Sequence, residues 1–130
     1  TRWFYNLLSG SPAGPDGTWG FGYGFGTEAR LGGHGSLNIE LAAEHVNERA
    51  AWIDAVNILA HLEVLGGFTM GRHVVVTAGP ALHYLVSDWR DAEGRYLSTV
   101  APDDPLSEHV QDDVRVQSWL GYRLGLGMRF

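Results

Sequence analysis

Residues 114–130 read VRVQSWLGYRLGLGMRF, and every second residue in this stretch is apolar apart from Ser118. The apolar set is Val114, Val116, Leu120, Tyr122, Leu124, Leu126, Met128 and Phe130. The opposite parity is mostly small or polar and carries three arginines. An alternation with a period of two predicts a β-strand that has one apolar face and one polar face. Such a long apolar face is typical of a strand that lies between lipid and the polar interior of a barrel.

The stretch 18–31, TWGFGYGFGTEARL, repeats this alternation. One parity begins with large aromatic residues, and the other holds four glycines followed by Glu28 and Arg30. Glycine weakens an ordinary strand because it has no side chain to pack. Four glycines on one face are explained if that face lines a narrow interior in which larger side chains would clash.

Strand-like alternation covers most of the chain. It predicts six strands: 2–8, 18–31, 35–45, 55–70, 73–89 and 114–130. The connections between them alternate in length, with short ones at 32–34 and 71–72 and long ones at 9–17, 46–54 and 88–113. Tight turns that alternate with long loops predict an antiparallel up-and-down sheet.

The carboxyl-terminal residues Tyr122-Arg123-Leu124-Gly125-Leu126-Gly127-Met128-Arg129-Phe130 resemble the sorting signal of bacterial outer-membrane β-barrel proteins. Together with the aromatic strand at 18–31, they make the chain similar to the small OmpA-like and OmpX-like members of that class. The resemblance implies an all-β, antiparallel up-and-down transmembrane β-barrel in the outer membrane of a Gram-negative bacterium. It also implies contact with outer-membrane lipid and lipopolysaccharide, and recognition of the last strand by the barrel-assembly machinery.

The alternation signals fewer strands than a closed barrel of one chain needs. Barrels of a single chain have about eight strands or more, whereas six are clearly signalled here. We expect eight strands, with two weaker ones at 46–53 and 95–100. Alternatively, missing strands or a protein partner complete the barrel.

Composition limits the other possibilities. The 130 residues are enough for one domain, 1–130, and they include no cysteine, which excludes a disulfide framework and a zinc–thiolate site. The segment 88–113 contains eight acidic residues and two arginines, and so carries the whole net charge of −6. The absence of a basic stripe argues against nucleic-acid binding. No pattern indicates an organic cofactor.

Seven polar residues lie on the parity opposite the apolar one and form a predicted interior network: Glu28, Arg30, Glu40, His61, Glu63, His83 and Arg123. Charges enclosed in a narrow barrel must be paired, so the main interpretation is a network of ion pairs and hydrogen bonds. A conducting lumen is the alternative. His61 and Glu63 also have a spacing that could ligate a metal.

Four aspartates of the acidic segment are candidate metal ligands: Asp103, Asp104, Asp112 and Asp113. Their oxygens are the ligands that Ca²⁺ and Mg²⁺ prefer, but their spacing does not match an EF-hand. The sequence therefore predicts at most weak binding of Ca²⁺ or Mg²⁺ at a surface loop. The alternative is a solvated, mobile acidic loop.

The predicted function is a structural or surface-interaction role through long external loops, without catalytic residues. The first alternative is a soluble lipocalin-like ligand-binding barrel. Gly17-Thr18-Trp19 resembles the Gly-x-Trp motif of lipocalins, a match of two residues. The second is an outer-membrane lipid-modifying enzyme, because His34 and Ser36 lie near Glu40 and Glu44 in the sequence. A catalytic triad is recognised by geometry, however, and this spacing is weak evidence.

Overall fold

A computed structural model of the chain describes residues 2–9, 19–47, 56–71, 73–90, 93–96 and 101–128. These residues form an all-β fold, and none of them belongs to a helix long and apolar enough to cross a membrane. The strands are β1 (Arg2–Ser9), β2 (Trp19–Leu31), β3 (Gly35–Asn47), β4 (Asn57–Met70), β5 (Val74–Ser87), β6 (Ser107–Gln111) and β7 (Val114–Met128).

All seven strands belong to one antiparallel sheet with the order β1-β2-β3-β4-β5-β7-β6. Strands β1 to β5 follow one another up and down, and β7 continues the sheet beside β5. The six strands predicted from alternation are therefore confirmed, with ends that differ by a few residues. We call the end of the sheet with the short connections after β2 and β4 the turn end, and the opposite end the loop end.

Strand β6 was not predicted. It is five residues long, pairs with the beginning of β7 and is exposed throughout, so its sequence SEHVQ carries no clear alternation. Asp112 and Asp113 form the two-residue connection to β7 with φ angles of 49° and 66°. Positive φ at both central residues is the requirement of a type I′ hairpin, and aspartate tolerates it better than most residues.

The two weaker strands expected from the sequence lie mostly outside the described residues. Of 95–100, only Arg95 and Tyr96 are described, and Tyr96 forms an isolated bridge with Arg90. Of 46–53, the described residues Val46 and Asn47 are the end of β3. The described sheet therefore has seven strands, six of them long enough to form the body of the fold.

Burial separates the two faces of the sheet. One face, which we call the inner face, holds buried polar side chains such as Glu63 and Gln117, each 1% exposed. The outer face holds large apolar side chains in the open, among them Tyr23 and Leu124 at 68% and 77% exposure. Water-soluble proteins bury such residues and expose charged ones. The prediction that the small and polar parity faces inward is confirmed.

The sheet curls around its inner face. Near the turn end, a cavity of about 430 Å³ is lined by residues of β2, β3, β4, β5 and β7. Strands β2 and β7 are four positions apart in the sheet. That separation would be about 19 Å on a flat sheet, at about 4.8 Å per strand. The two strands line the same cavity because the sheet is strongly curved.

At two inner-face glycines, the backbone of the neighbouring strand leaves no space for a Cβ atom. A Cβ at Gly22 would overlap the carbonyl oxygen of Ala43 on β3, and a Cβ at Gly79 would overlap that of Val64 on β4. At these two positions, a larger side chain would clash with the backbone of the neighbouring strand. Next to Gly79, Pro80 has no N–H to donate, and the β4–β5 pairing is interrupted between Glu63↔Ala81 and Gly66↔Ala78.

Candidate functional site

A buried carboxylate organises the middle of the inner face. Glu63 of β4 accepts a hydrogen bond from Arg123 of β7, with 2.7 Å between Nη1 and Oε1. His61 lies on the same side of β4, and its Nε2 is 3.5 Å from the same carboxylate oxygen. Arg123 reaches Glu63 across β5, where the register places the small residues Gly79 and Ala81 between them. A larger side chain at either position would occupy the space that the guanidinium crosses.

Two aromatic rings continue this cluster toward the loop end. The His83 ring lies 6.0 Å from the His61 ring between centroids. On its other side, His83 stacks on Trp119 at 5.2 Å with an angle of 14° between the planes. Among the described residues, His83 Nδ1 has no hydrogen-bond partner. His83 thus joins the polar middle of the inner face to an apolar region.

That apolar region, the loop-end cluster, consists of Val46, Leu59 and Leu85, with Trp119 and Ala101 packed against them. Ala101 belongs to the acidic segment 88–113, so part of this segment contacts the inner face. Near the loop end the inner face therefore buries this apolar cluster beside the polar Asn57, Ser87 and Gln117. It is charged in the middle and open near the turn end.

The cavity near the turn end has a mixed lining, to which Leu65, Val75 and Leu126 also belong, and its charged groups are mostly acidic. Its charged lining residues are Glu28, Glu40, Glu63 and Arg123, and its uncharged polar ones are Asn38 and Thr77. The lining thus holds three carboxylates and one guanidinium. Space for the cavity comes partly from Gly125 and Gly127, which contribute no side chains.

The structure brings together part of the predicted interior network. Glu63, His61 and Arg123 are in direct contact, and His83 adjoins them. Glu28 and Arg30 form a separate pair on β2, with 3.6 Å between Oε1 and Nε. Glu40 lies opposite Glu63 in the β3–β4 register and lines the cavity with it.

The sequence prediction missed several inner-face residues, notably Gln117 and Trp119. Gln117 is fully buried and donates from Nε2 to Glu108 Oε2 at 3.1 Å. Both residues have the inward parity of β7, which was the available signal. Gln117 has its partner in the acidic segment, whose fold was not predicted, whereas Trp119 stacks on His83 of β5.

Two arginines pair with acids of the acidic segment, Arg115 from β7 and Arg90 from within the segment itself. Arg115 of β7 donates two hydrogen bonds to Glu108 of β6, at 3.0 and 3.1 Å. Arg90 donates to the Asp113 carbonyl and carboxylate oxygens at 2.9 and 3.0 Å, and also to the Tyr96 hydroxyl. Residues Ser107–Gln111 of the acidic segment are thus an exposed strand whose Glu108 carboxylate is paired within the chain. The Arg115 hydrogen bond lowers the pKa of the Glu108 carboxyl from its usual 4.5.

The four candidate metal ligands lie in two places. Asp103 and Asp104 precede β6, whereas Asp112 and Asp113 form its turn to β7. Asp113 is paired with Arg90 at 3.0 Å. In the described part of the chain, no group of three or more His, Cys, Asp or Glu residues is placed to hold a metal ion. Weak Ca²⁺ or Mg²⁺ binding by these aspartates stays a prediction.

The residues considered for a lipid-modifying enzyme do not assemble. The His34 ring nitrogen Nδ1 is 3.2 Å from the Thr69 carbonyl oxygen, and the ring lies tilted near Phe68. Ser36, Glu40 and Glu44 are spaced four residues apart along β3. At about 3.3 Å per residue, each is roughly 13 Å from the next. This arrangement cannot form a nucleophile, base and carboxylate in contact.

We predict that replacing Arg123 by methionine destabilises the fold by about 3 kcal/mol, because Glu63 then remains buried without its cation. This value is at the low end of the usual range since Arg123 is half-exposed. The double variant Glu63→Gln/Arg123→Met should recover much of the loss. Urea unfolding in detergent micelles measures both. Equal stability of the single and double variants would contradict the assigned pair.

We also predict that acid weakens the attachment of β6. Because the pKa of Glu108 is lower in the folded state, its stabilising contribution is complete above about pH 4.5 and is lost as the pH falls through the folded pKa. Amide NMR shifts of β6 in micelles, followed from pH 7 to about pH 3, should show this transition. Glu108→Gln should remove it, and an identical titration in that variant would count against the Glu108–Arg115 pair.

No family model, no curated protein and no solved structure matches this chain.

Proposed function

We propose that this chain forms the wall of a small outer-membrane β-barrel, with a structural or surface-interaction role through its loop-end segments. The observation that carries the proposal is the inverted burial of the sheet. A glutamate, a histidine and a glutamine are buried on the inner face, while leucine, phenylalanine and tyrosine side chains are exposed on the outer face.

The outer face would be unfavourable in water. Soluble monomers rarely expose a contiguous apolar patch larger than a few hundred Å². Here the exposed apolar residues continue across neighbouring strands at one level of the sheet, as with Leu41, Leu62, Leu82 and Leu120. Lipid contact removes this cost because each outward apolar side chain then meets an apolar solvent.

The strand lengths also support a membrane role. Strands β2, β3, β4, β5 and β7 have 13 to 15 residues, and a tilted strand needs about 9–11 to cross the bilayer core. Open sheet edges are not tolerated in hydrocarbon because their N–H and C=O groups lack partners. We therefore infer that the curled sheet closes into a barrel, of eight strands in total.

The interior and the loop end suit this assignment. Paired charges such as Glu63–Arg123 fill the inside, as a narrow barrel requires. With the short connections facing the periplasm, the acidic segment 88–113 lies outside the cell, where divalent cations can bridge carboxylates to lipopolysaccharide phosphates. The last strand would be the segment that the barrel-assembly machinery recognises.

The soluble ligand-binding barrel needs the opposite distribution, with apolar residues inside and polar ones outside. The loop-end cluster is apolar, but the middle of the inner face and the turn-end cavity are lined with charges. The inverted burial thus favours the membrane barrel over the lipocalin-like alternative.

A spin-label scan tests the proposal directly. Single cysteines, which the chain otherwise lacks, are placed at the adjacent pairs Leu41/Ala42, Leu62/His61 and Leu82/Ala81 and labelled after reconstitution into vesicles. We expect lipid-soluble oxygen to relax the label strongly at the three leucines and weakly at their neighbours, because only the leucines face outward. Absence of this alternation would refute lipid contact.

A substitution pair gives an energetic test. Leu62→Arg should cost about 2–4 kcal/mol if Leu62 lies near the bilayer midplane. Leu106→Arg is the matched control, because Leu106 is even more exposed but lies outside the long strands, just before β6. It should change the stability by no more than about 0.5 kcal/mol. Urea unfolding from vesicles measures both, and equal effects would contradict the proposed orientation.

A further inference from the structure

Residues 101–111, which we call the cap, link the loop-end cluster to the edge of β7. At one end, Ala101 packs against the cluster. At the other end, β6 pairs with Val114–Ser118 of β7. Between them, Pro102 and Pro105 each fix one φ angle and have no N–H to donate. The cap is therefore attached at its two ends, and its middle stretch has restricted backbone freedom.

The cap buries little of its own surface. Every residue of β6 is exposed. The large apolar side chains of the cap, Leu106 and Val110, are 65% and 53% exposed. An apolar side chain stabilises a contact mainly through the area that it removes from water, so these two contribute little. Segments with few buried apolar contacts open locally at a small cost in free energy. The attachment of the cap thus depends mainly on its hydrogen bonds.

The carboxylate of Glu108 holds the cap to the sheet. It accepts two hydrogen bonds from Arg115, at 3.0 and 3.1 Å, and one from Gln117 Nε2 at 3.1 Å. A further, neutral link joins the hydroxyl groups of Ser107 and Ser118, whose oxygens are 2.9 Å apart. Hydrogen bonds between an arginine and a carboxylate are about twice as strong as neutral ones. The strength of the attachment therefore depends on the charge of Glu108.

The charged surroundings of Glu108 come from β7 and from the chain just after β5. Arg115 of β7 is its direct partner, and the guanidinium of Arg115 also lies 5.6 Å from the centroid of the Tyr96 ring. Arg90 lies 4.4 Å from the same centroid and donates to the carbonyl and carboxylate oxygens of Asp113. This second pair fixes the turn between β6 and β7 independently of Glu108. The turn is thus the pivot of the cap, and Glu108 is the latch beside it.

We propose that the cap is a lid over the loop-end cluster, which pivots at the Asp112–Asp113 turn and is held shut by the Glu108 carboxylate. A protonated Glu108 no longer pairs as an anion with Arg115, so the lid lifts and Ala101 leaves the cluster. Hydrogen bonding from Arg115 lowers the pKa of Glu108, so the lid is shut above about pH 4.5 and opens as the pH falls through the folded-state pKa. These groups all lie in the described loop-end residues, so the inference does not rest on lipid contact.

Methyl NMR with a soluble paramagnetic probe tests the lid in detergent micelles. Leu59 and Leu65 are a matched pair on β4, both 7% exposed and both of inward parity. Leu59 belongs to the cluster beneath the lid, whereas Leu65 lines the turn-end cavity. We expect the relaxation that the probe causes at the Leu59 methyl groups to rise about threefold or more from pH 7 to about pH 3. The relaxation at Leu65 should stay unchanged.

Glu108→Gln separates the latch from the histidines of the inner face, which titrate in the same pH range. The variant should show the raised relaxation at Leu59 already at neutral pH, with no further rise in acid. Hydrogen exchange of the β6 amides should also be about tenfold faster at neutral pH. A Leu59 titration identical to that of the parent chain would overturn the inference. An equal rise at Leu65 would do so too, because the whole sheet would then be loosening.

A disulfide lock gives the reciprocal test. Because the hydroxyl oxygens of Ser107 and Ser118 are 2.9 Å apart, Ser107→Cys/Ser118→Cys can form a bond across the β6–β7 pair. In the Glu108→Gln background, the oxidised lock should return the Leu59 relaxation to the parent value, and a reductant added to the same sample should raise it again. A Leu59 relaxation that does not respond to the lock would contradict a pivoting lid. The spin-label alternation is read on the outer face of β3, β4 and β5, so the lid and the lipid contact can fail independently.

Discussion

The carboxylate of Glu63 is the constraint on which the interior of this protein depends. It is completely buried on the inner face of a curled sheet, and it must meet a cation there. The nearest one, Arg123, comes from two strands away and crosses β5 where that strand carries Gly79 and Ala81. The small residues of β5 and the strong curvature of the sheet thus together allow this internal ion pair to form. Most of the large apolar side chains, by contrast, lie exposed on the outer face.

Period-two alternation was sufficient to predict the long strands and the direction of their faces. The reason is physical: a sheet with one polar and one apolar surface constrains every residue of each strand, so the signal accumulates over 13 to 15 positions. The same reasoning could not find β6. At five exposed residues it has neither the length nor a buried face, and it exists because Asp112 and Asp113 can form a tight turn.

The polar partners were harder to predict than the strands. Parity placed Glu63, His61 and Arg123 on one face, but their contact depends on the register between β4, β5 and β7, which alternation does not determine. The acidic segment shows the same limit. Its repelling carboxylates suggested mobility. In the structure, however, Glu108 pairs with Arg115, and Asp113 pairs with Arg90. Net charge over a segment does not describe charge in three dimensions.

The two ends of the inner face differ, and the difference bears on whether a barrel built from this sheet would conduct. At the loop end, Val46, Leu59, Leu85 and Trp119 form an apolar cluster that Ala101 of the acidic segment contacts. In the barrel that we propose, this cluster and the buried Asn57, Ser87 and Gln117 beside it would fill the loop end of the lumen. At the turn end the inner face is charged and encloses space. A lumen with this profile is accessible from the turn end and obstructed at the loop end. The architecture therefore fits a structural or surface-interaction role better than a permeation pathway, because the segment that covers the lumen is also the one that presents its charges outward.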